Sequence, residues 1–160
     1  MMCLRRANVQ DVPAITEIIN RDATILSRSQ HYVFDNLRDF VVAEKNGQIV
    51  GCASLHVLWE NIAEIRALTV VAHEQGNGLY GELVDYLLDD GKAVGVRQVV
   101  ALTQNPRLLV NLGFRLVDRN DVPQIVWKEC INCVHFPDCM EKPVLFDLDD
   151  PIAADRGEVS

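Results

Sequence analysis

The chain has 160 residues, 49% of them apolar and 24% charged, which is the composition of one globular domain able to bury a core without disulfides or metal ions. Its formal net charge is −8 and it has no cluster of basic residues, so nucleic acid and anionic membranes are poor partners. No apolar stretch approaches the ~20 residues of a membrane span, and the start lacks the apolar core of a signal peptide, so we expect a cytoplasmic location. We expect a single domain over 1–148 and an acidic, disordered tail over 149–160.

The first quarter of the chain predicts a strand and two helices. A short strand over 3–6 precedes a helix from about Asn8 to Arg21, with Asn8 and the acidic residue three positions later forming a helix start. Apolar residues recur in this helix at three- and four-residue spacing, which gives it one buried stripe. Residues 25–29 are predicted to form a loop before a second short helix over 32–37.

A three-stranded meander is predicted next. Strand-forming residues over 40–44 and 49–55 flank Asn46-Gly47, a strong hairpin turn because both residues tolerate positive φ. A third strand over 63–71 extends the hairpin. A helix over 79–94 follows, with helical apolar period and Gly95 at its end.

The last part of the chain is predicted to add a parallel strand to the meander, which makes the sheet mixed. The wholly apolar run 99–102 predicts a strand buried on both faces and parallel to the strand before helix 79–94. A brief helix over 108–112 and strands over 114–117 and 144–148 complete the elements. The predicted fold class is α/β (α+β), with a mixed, mostly antiparallel central sheet flanked by helices.

A glycine-containing loop joins the third meander strand to helix 79–94. Glycines let the backbone approach a ligand, and the N–H groups and dipole of a helix start attract anions, so the loop predicts a phosphate site. Glycines in a turn also serve chain reversal alone, and neither a Walker loop nor a dinucleotide fingerprint is present. The loop consists of Gln75, Gly76, Asn77, Gly78, Leu79 and Tyr80.

This element order and loop resemble the GNAT N-acetyltransferase superfamily. Its loop pattern, Gln/Arg-x-x-Gly-x-Gly/Ala, is matched at Gln75 and Gly78, while Tyr80 stands where a small residue is usual. The resemblance implies a GNAT fold with a parallel strand pair splayed at an acetyl-CoA site, and acetyl-CoA as co-substrate. It assigns the following residues to that site: Leu68, Thr69, Val70, Gln75, Gly76, Asn77, Gly78, Leu79, Tyr80 and Gly81.

Over roughly 4–148 the chain is also similar to the acetyltransferase domain of N-acetylglutamate synthases, especially their short bacterial forms. Segments 26–29, 39–44, 63–70 and 127–130 bear this similarity. It implies acetyl transfer to a primary amine, the α-amino group of glutamate or a similar amino acid, as in arginine biosynthesis. Another small amine, a protein N-terminus, or a catalytically silent CoA-binding protein are the alternatives. A homodimer is expected by analogy, since GNAT proteins often associate.

Candidate residues follow from this chemistry. A substrate ammonium must lose a proton before it attacks a thioester, and Glu64 matches the proposed base of the synthases. The alternative interpretation is that Glu64 is a solvated carboxylate at a strand edge.

Arg28 is the candidate receptor for the substrate carboxylate, and Ser29 would add a hydrogen bond. The alternative interpretation is that Arg28 is an exposed loop arginine. Arg66 is either a second receptor or an ion-pair partner of Glu64.

The remaining catalytic groups are less well defined. Backbone N–H groups over 68–70 are expected to stabilise the oxyanion. The general acid and the arginine that the synthases place in the segment matching 103–106 are absent, which leaves Thr103 or Tyr80 as substitutes for the acid. Four residues near the end form either a Cys3His zinc site or a set of packed, reduced thiols. They are Cys130, Cys133, His135 and Cys139.

Overall fold

The computed structural model describes residues 2–127 and 141–148. Within them the strands are β1 (Met2–Arg6), β2 (Phe40–Lys45), β3 (Gln48–Trp59), β4 (Ile62–Val70), β5 (Gln98–Thr103), β6 (Arg115–Leu116) and β7 (Lys142–Asp147). The helices are α1 (Val12–Arg21), α2 (Gln30–Asp35), α3 (Leu79–Val94) and α4 (Pro106–Asn111).

The strands form a sheet in the order β1-β2-β3-β4-β5-β7-β6. The pairs β1/β2, β2/β3, β5/β7 and β6/β7 are antiparallel, and β4 and β5 form a parallel pair. Parallel neighbours require a crossover, which α3 supplies between β4 and β5. The predicted mixed, mostly antiparallel α/β sheet is therefore confirmed.

Local signals in the sequence account for several element ends. Asn46 and Gly47 have φ of 53° and 79°, as a two-residue hairpin turn requires, and Gly95 has φ of 98° at the end of α3. Helix α2 begins two residues earlier than predicted because the Ser29 hydroxyl accepts a hydrogen bond from the Tyr32 N–H (3.0 Å) and caps it. Similarly, α4 begins at Pro106, whose fixed φ suits the first helical position.

Two compact units can be distinguished among the described residues, and each has its own core. The first comprises 2–56 and 65–90, and the second 57–64, 91–127 and 141–148. In the first unit one cluster of fully buried core residues consists of Val12, Ile15, Ile19, Val33, Phe40, Val42 and Cys52. In the second unit one buried cluster consists of Ile62, Val100, Val122, Val126 and Leu145. The apolar stripe predicted for α1 faces the first of these cores.

The helix start predicted at Asn8 forms a capping box that is tied to the sheet. The Asn8 side chain accepts from the Gln10 N–H, and the Asp11 carboxylate accepts from the Asn8 N–H (2.8 Å). Both oxygens of Asp11 also accept from the Arg5 guanidinium on β1, at 2.7 and 2.9 Å. These contacts, above all the one with Arg5, hold the pKa of the Asp11 carboxyl below its ordinary value.

We expect Asp11→Asn to lower the free energy of unfolding at pH 7 by about 2 kcal/mol, because it removes a charge-assisted pair from a largely buried position. A carboxyl with a lowered pKa in the folded state stabilises above its unfolded pKa, and this contribution is lost as pH falls through the folded value. In urea unfolding, the difference in the free energy of unfolding between wild type and Asp11→Asn should therefore be smaller at pH 3 than at pH 7. Glu17→Gln, at an exposed position of α1, is the control, and an equal difference at both pH values would contradict the assignment.

Candidate functional site

Strand β4 contains an irregularity that the sequence did not indicate. Ala67 has φ of 56°, a left-handed conformation that costs a non-glycine residue roughly 1–2 kcal/mol. The carbonyl oxygen of Ala67 accepts from the Cys52 thiol (3.5 Å), and that of Arg66 accepts from the Ser54 hydroxyl (3.1 Å). Side chains of β3 thus hold β4 at the point where its regular alternation is interrupted.

The Ser54 hydroxyl is also part of a buried polar chain. It lies 2.7 Å from His56 Nε2, and His56 Nδ1 lies 3.3 Å from Asp39 Oδ2. The Ser54 hydroxyl and the Asp39 carboxylate thus lie beside the two different nitrogens of the His56 ring. Sequence reasoning gave His56 no role, since Asp39 lies far from it in the chain.

Arg28 lies in the loop before α2, and its backbone is fixed. The Arg28 N–H donates to Asn20 Oδ1 (2.8 Å), and Asn20 Nδ2 donates to the Arg28 carbonyl (2.9 Å). The guanidinium carbon lies 4.1 Å from the centroid of the Tyr32 ring, a cation–π contact. Arg66 approaches the same side chain, since its Nη1 lies 3.4 Å from the Tyr32 hydroxyl oxygen. The neighbouring Ser29 caps α2, so its hydroxyl already has one partner.

The end of β4 is held on both sides by side chains of the same unit. Thr69 Oγ1 donates to Asp22 Oδ2 (2.7 Å), and Gln75 Nε2 donates to the Val70 carbonyl (3.0 Å). A Cβ at Gly51 on β3 would lie 3.2 Å from the Thr69 carbonyl, so β3 can approach β4 closely because position 51 is a glycine. Thr69 and Val70 are buried and Leu68 is half-buried.

The loop after β4 adopts the conformation that its glycines permit. Gly76 and Gly78 have φ of 84° and 82°, and a Cβ at either would meet no atom within 4 Å, so backbone conformation rather than space requires glycine. Helix α3 then begins at Leu79, whose side chain is buried. The first N–H groups of a helix have no carbonyl partner within it, and here they belong to the residues predicted to bind the CoA phosphates.

Tyr80 departs from the small residue expected at its position, and its hydroxyl lies against β4. The Val71 N–H donates to Val50 on β3 (2.9 Å), so the Val70 N–H points to the opposite edge of β4. There the Val70 backbone acts to lower the pKa of the Tyr80 phenol. Burial and the charge of Asp22 nevertheless raise the pKa of Tyr80 overall, so the phenol keeps its proton at neutral pH.

Glu64 lies on β4 in the second unit, and its side chain is only 6% exposed. This burial argues against a solvated carboxylate at a strand edge. In the same unit the Thr103 hydroxyl accepts from the Asn105 N–H (2.9 Å) at the start of α4. The candidate zinc ligands between 130 and 139 lie outside the described residues.

Within residues 2–127 and 141–148, no group of three or more histidine, cysteine or acidic side chains is arranged to hold a metal ion. None of the helices in that part of the chain has both the length and the apolar character needed to cross a bilayer.

The mixed sheet with its parallel β4/β5 pair and the glycine loop at the start of α3 are the features that the GNAT resemblance predicted for the fold. A sequence profile of the acetyltransferase (GNAT) family matches residues 12–114. The chain belongs to this family. The predicted enzyme class is thereby confirmed, and acetyl-CoA is the acetyl donor that the family uses.

Three similar proteins illustrate the relationship. An uncharacterized N-acetyltransferase of Chlorobaculum tepidum is 32% identical over 82% of this chain and 86% of its own. An amino-acid acetyltransferase of Mycobacterium tuberculosis is 31% identical over 79% of this chain and 75% of its own. N-acetylglutamate synthase from Neisseria gonorrhoeae, solved with coenzyme A and N-acetyl-glutamate, has a TM-score of 0.84 at 21% identity over 94% of this chain and 36% of that one. The fold resemblance to synthase domains is confirmed.

Proposed function

We propose that this protein transfers the acetyl group of acetyl-CoA to the α-amino group of glutamate or a similar amino acid. The observation that supports this most directly is the Arg28 guanidinium, stacked on Tyr32 in a loop whose backbone Asn20 holds. A fixed guanidinium suits a carboxylate, because the two groups pair through parallel hydrogen bonds. The similarity to an amino-acid acetyltransferase agrees with this substrate class.

Acetyl-CoA would occupy the end of β4 and the start of α3. Backbone groups of Leu68, Thr69 and Val70 would pair with the pantetheine and the thioester carbonyl, and the loop from Gln75 to Gly81 would hold the pyrophosphate. Positive φ at Gly76 and Gly78 supports this assignment, because it turns successive N–H groups of the loop in one direction.

In the proposed reaction Glu64 takes a proton from the substrate ammonium, directly or through water. The neutral amine attacks the thioester carbonyl, a C–N bond forms, and N–H groups of β4 stabilise the negative charge on the oxygen. The C–S bond then breaks and coenzyme A leaves as a thiolate. The Tyr80 hydroxyl is suited to donate a hydrogen bond to this thiolate, whereas full proton transfer would be unfavourable because a thiol is the stronger acid.

The function is tested by measuring CoA release from acetyl-CoA with a panel of acceptors: glutamate, aspartate, alanine, a polyamine and a peptide with a free N-terminus. We expect the highest kcat/KM with glutamate or aspartate. A higher value with the peptide or the polyamine would contradict the amino-acid assignment, and acetyl-CoA binding without turnover on any amine would favour the silent CoA-binding alternative.

The homodimer and the cytoplasmic location stay predictions. Sedimentation with and without acetyl-CoA tests the homodimer.

We expect Tyr80→Phe to lower the KM for acetyl-CoA by about two- to tenfold, because the Tyr80 oxygen competes with a thioester carbonyl for the Val70 N–H, and one hydrogen bond is worth about 0.5–1.5 kcal/mol. The same change should lower kcat, since the departing thiolate loses a donor. Steady-state kinetics separate the two effects. Tyr86→Phe on α3 is the control. A raised KM would show that the phenol assists CoA binding instead of competing with it.

A further inference from the structure

A buried carboxylate lies directly before the glycine loop. Within the segment 72–78, all of which the structure describes, Glu74 alone is buried, whereas the loop residues 75–78 are exposed. The side chain of Glu74 is only 7% exposed. Charged side chains are seldom buried unless another charge pairs with them. The position of Glu74 therefore depends on a partner.

That partner is Lys45, the last residue of β2. Its Nζ donates a hydrogen bond to Glu74 Oε2 at 2.9 Å. The Lys45 backbone is held from both sides, because it pairs with Met2 on β1 and with Gln48 on β3. His73 Nε2 lies 3.9 Å from the same carboxylate oxygen, but its side chain is 74% exposed and contributes less. The ion pair thus connects the start of the glycine loop to the β2/β3 hairpin.

The backbone and the loop also act on Glu74. It ends a single 3-10 turn, Ala72–Glu74, in which its N–H donates to the Val71 carbonyl at 3.0 Å. Lys45 above all, and further the Asn77 side chain within the loop, hold the pKa of the Glu74 carboxyl below its ordinary value. The group is therefore a carboxylate at neutral pH, placed between the hairpin and the loop.

A carboxylate beside a phosphate-binding loop has two opposite effects on a bound anion. Its negative charge repels phosphates, and Lys45 offsets this repulsion. Its contacts also fix the start of a loop whose glycines lose more conformational freedom on ordering than other residues. Since ordering a loop lowers affinity, a loop that is already fixed binds its ligand more tightly.

We propose that Glu74 is a positioning residue for acetyl-CoA binding, which fixes the loop 75–78 through its ion pair with Lys45, while Lys45 offsets its negative charge. This inference rests on the proposed assignment of the loop to the pyrophosphate of acetyl-CoA. It goes beyond that assignment, because neither residue needs to touch the ligand. Both residues act through the conformation and the electrostatic potential of the loop.

Calorimetric titration with CoA tests the proposal on wild type, Glu74→Gln, Lys45→Met and the double variant. We expect Glu74→Gln to raise the Kd about threefold, because the start of the loop is held less firmly. Lys45→Met should raise the Kd about tenfold, because it leaves the carboxylate unpaired beside the phosphates. The double variant should bind CoA more tightly than Lys45→Met and match Glu74→Gln within about twofold, since no unpaired carboxylate remains.

A truncated donor separates the loop from the rest of the site. Acetyl-pantetheine has the thioester but lacks the pyrophosphate. With glutamate as acceptor, both single variants should lower kcat/KM for acetyl-CoA and leave that for acetyl-pantetheine within about twofold of wild type. A general structural defect would lower both values. Circular dichroism and Tm establish that each variant is folded, and the double variant has no unpaired buried charge.

Arg115→Met is the matched control. It removes the same charge from an ion pair with Asp147, 3.1 Å long, between β6 and β7. The Kd for CoA should equal that of wild type. A similar rise in this variant would show that net charge alone, and not the pairing of Lys45 with Glu74, affects binding.

Three results would overturn the inference. They are an unchanged or lowered Kd in Glu74→Gln, additive effects of the two substitutions, and equal losses with both donors. If wild type binds no CoA or uses both donors equally well, the loop assignment is wrong and this inference falls with it. If wild type binds CoA but acetylates no amino acid, only the proposed acceptor is wrong, and the titrations still decide the role of Glu74.

Discussion

Replacing Glu64 by glutamine is expected to lower kcat/KM for the amino-acid acceptor by about 10²- to 10⁴-fold, the usual contribution of a positioned general base. The amide keeps the size of the side chain in a position that is 6% exposed, but it cannot accept the ammonium proton. The decrease in kcat/KM should be largest near neutral pH, where the substrate amine is protonated. It should be smaller at alkaline pH, where the amine is already neutral. The KM for acetyl-CoA should not change.

This prediction is checked by kcat/KM profiles of both proteins between about pH 6 and 10. Glu17→Gln on α1, with a side chain that is 64% exposed, is the matched control and should follow wild type throughout. Circular dichroism and Tm establish that Glu64→Gln is folded. If the variant keeps the wild-type profile at every pH, Glu64 has no part in the mechanism and a different base must be sought.

The second large effect is expected at Arg28. Arg28→Gln should raise the KM for glutamate by about 10- to 100-fold, because a hydrogen-bonded charged pair contributes about 1.5–3 kcal/mol. The KM for acetyl-CoA and the kcat at saturating glutamate should change little, since Arg28 is assigned to substrate binding. Arg28→Lys keeps the charge without the planar fork and should be intermediate.

Initial-rate kinetics with both substrates varied separate these constants. Arg21→Gln at the end of α1 removes a guanidinium with a side chain that is 76% exposed and serves as the control. An unchanged KM for glutamate in Arg28→Gln would show that Arg28 is a loop arginine that does not bind the substrate. A lowered kcat at an unchanged KM would instead place its effect in the chemical step.

Features with local causes could be predicted from the sequence. The hairpin at Asn46-Gly47, the end of α3 at Gly95 and the capping box at Asn8 each depend on residues within a few positions of one another. Their conformations follow from which residues tolerate positive φ and which side chains cap a helix. The start of α2 was misplaced by two residues, because a serine cap can precede the first apolar residue of a helix.

The candidate site was predicted only in part. The loop with Gln75 and Gly78 was recognisable as a candidate because the GNAT loop pattern places these residue types at a fixed spacing. Ser54 and His56 lie two positions apart on β3 and share a face of the strand, but no spacing rule relates either of them to Asp39, which precedes β2. The same holds for Tyr32, whose two arginines lie 4 and 34 positions away in the chain.

The order of strands and helices could be predicted from the sequence because short-range periodicity encodes it, and the family and the candidate acetyl-CoA loop followed from the resemblance of that order and of Gln75 and Gly78 to GNAT proteins. The tertiary structure decided the conformation of Ala67 and the placement of both arginines on Tyr32. These depend on hydrogen bonds and packing between segments far apart in the chain. Such long-range contacts can impose a left-handed alanine or fix an arginine that local preference leaves undetermined.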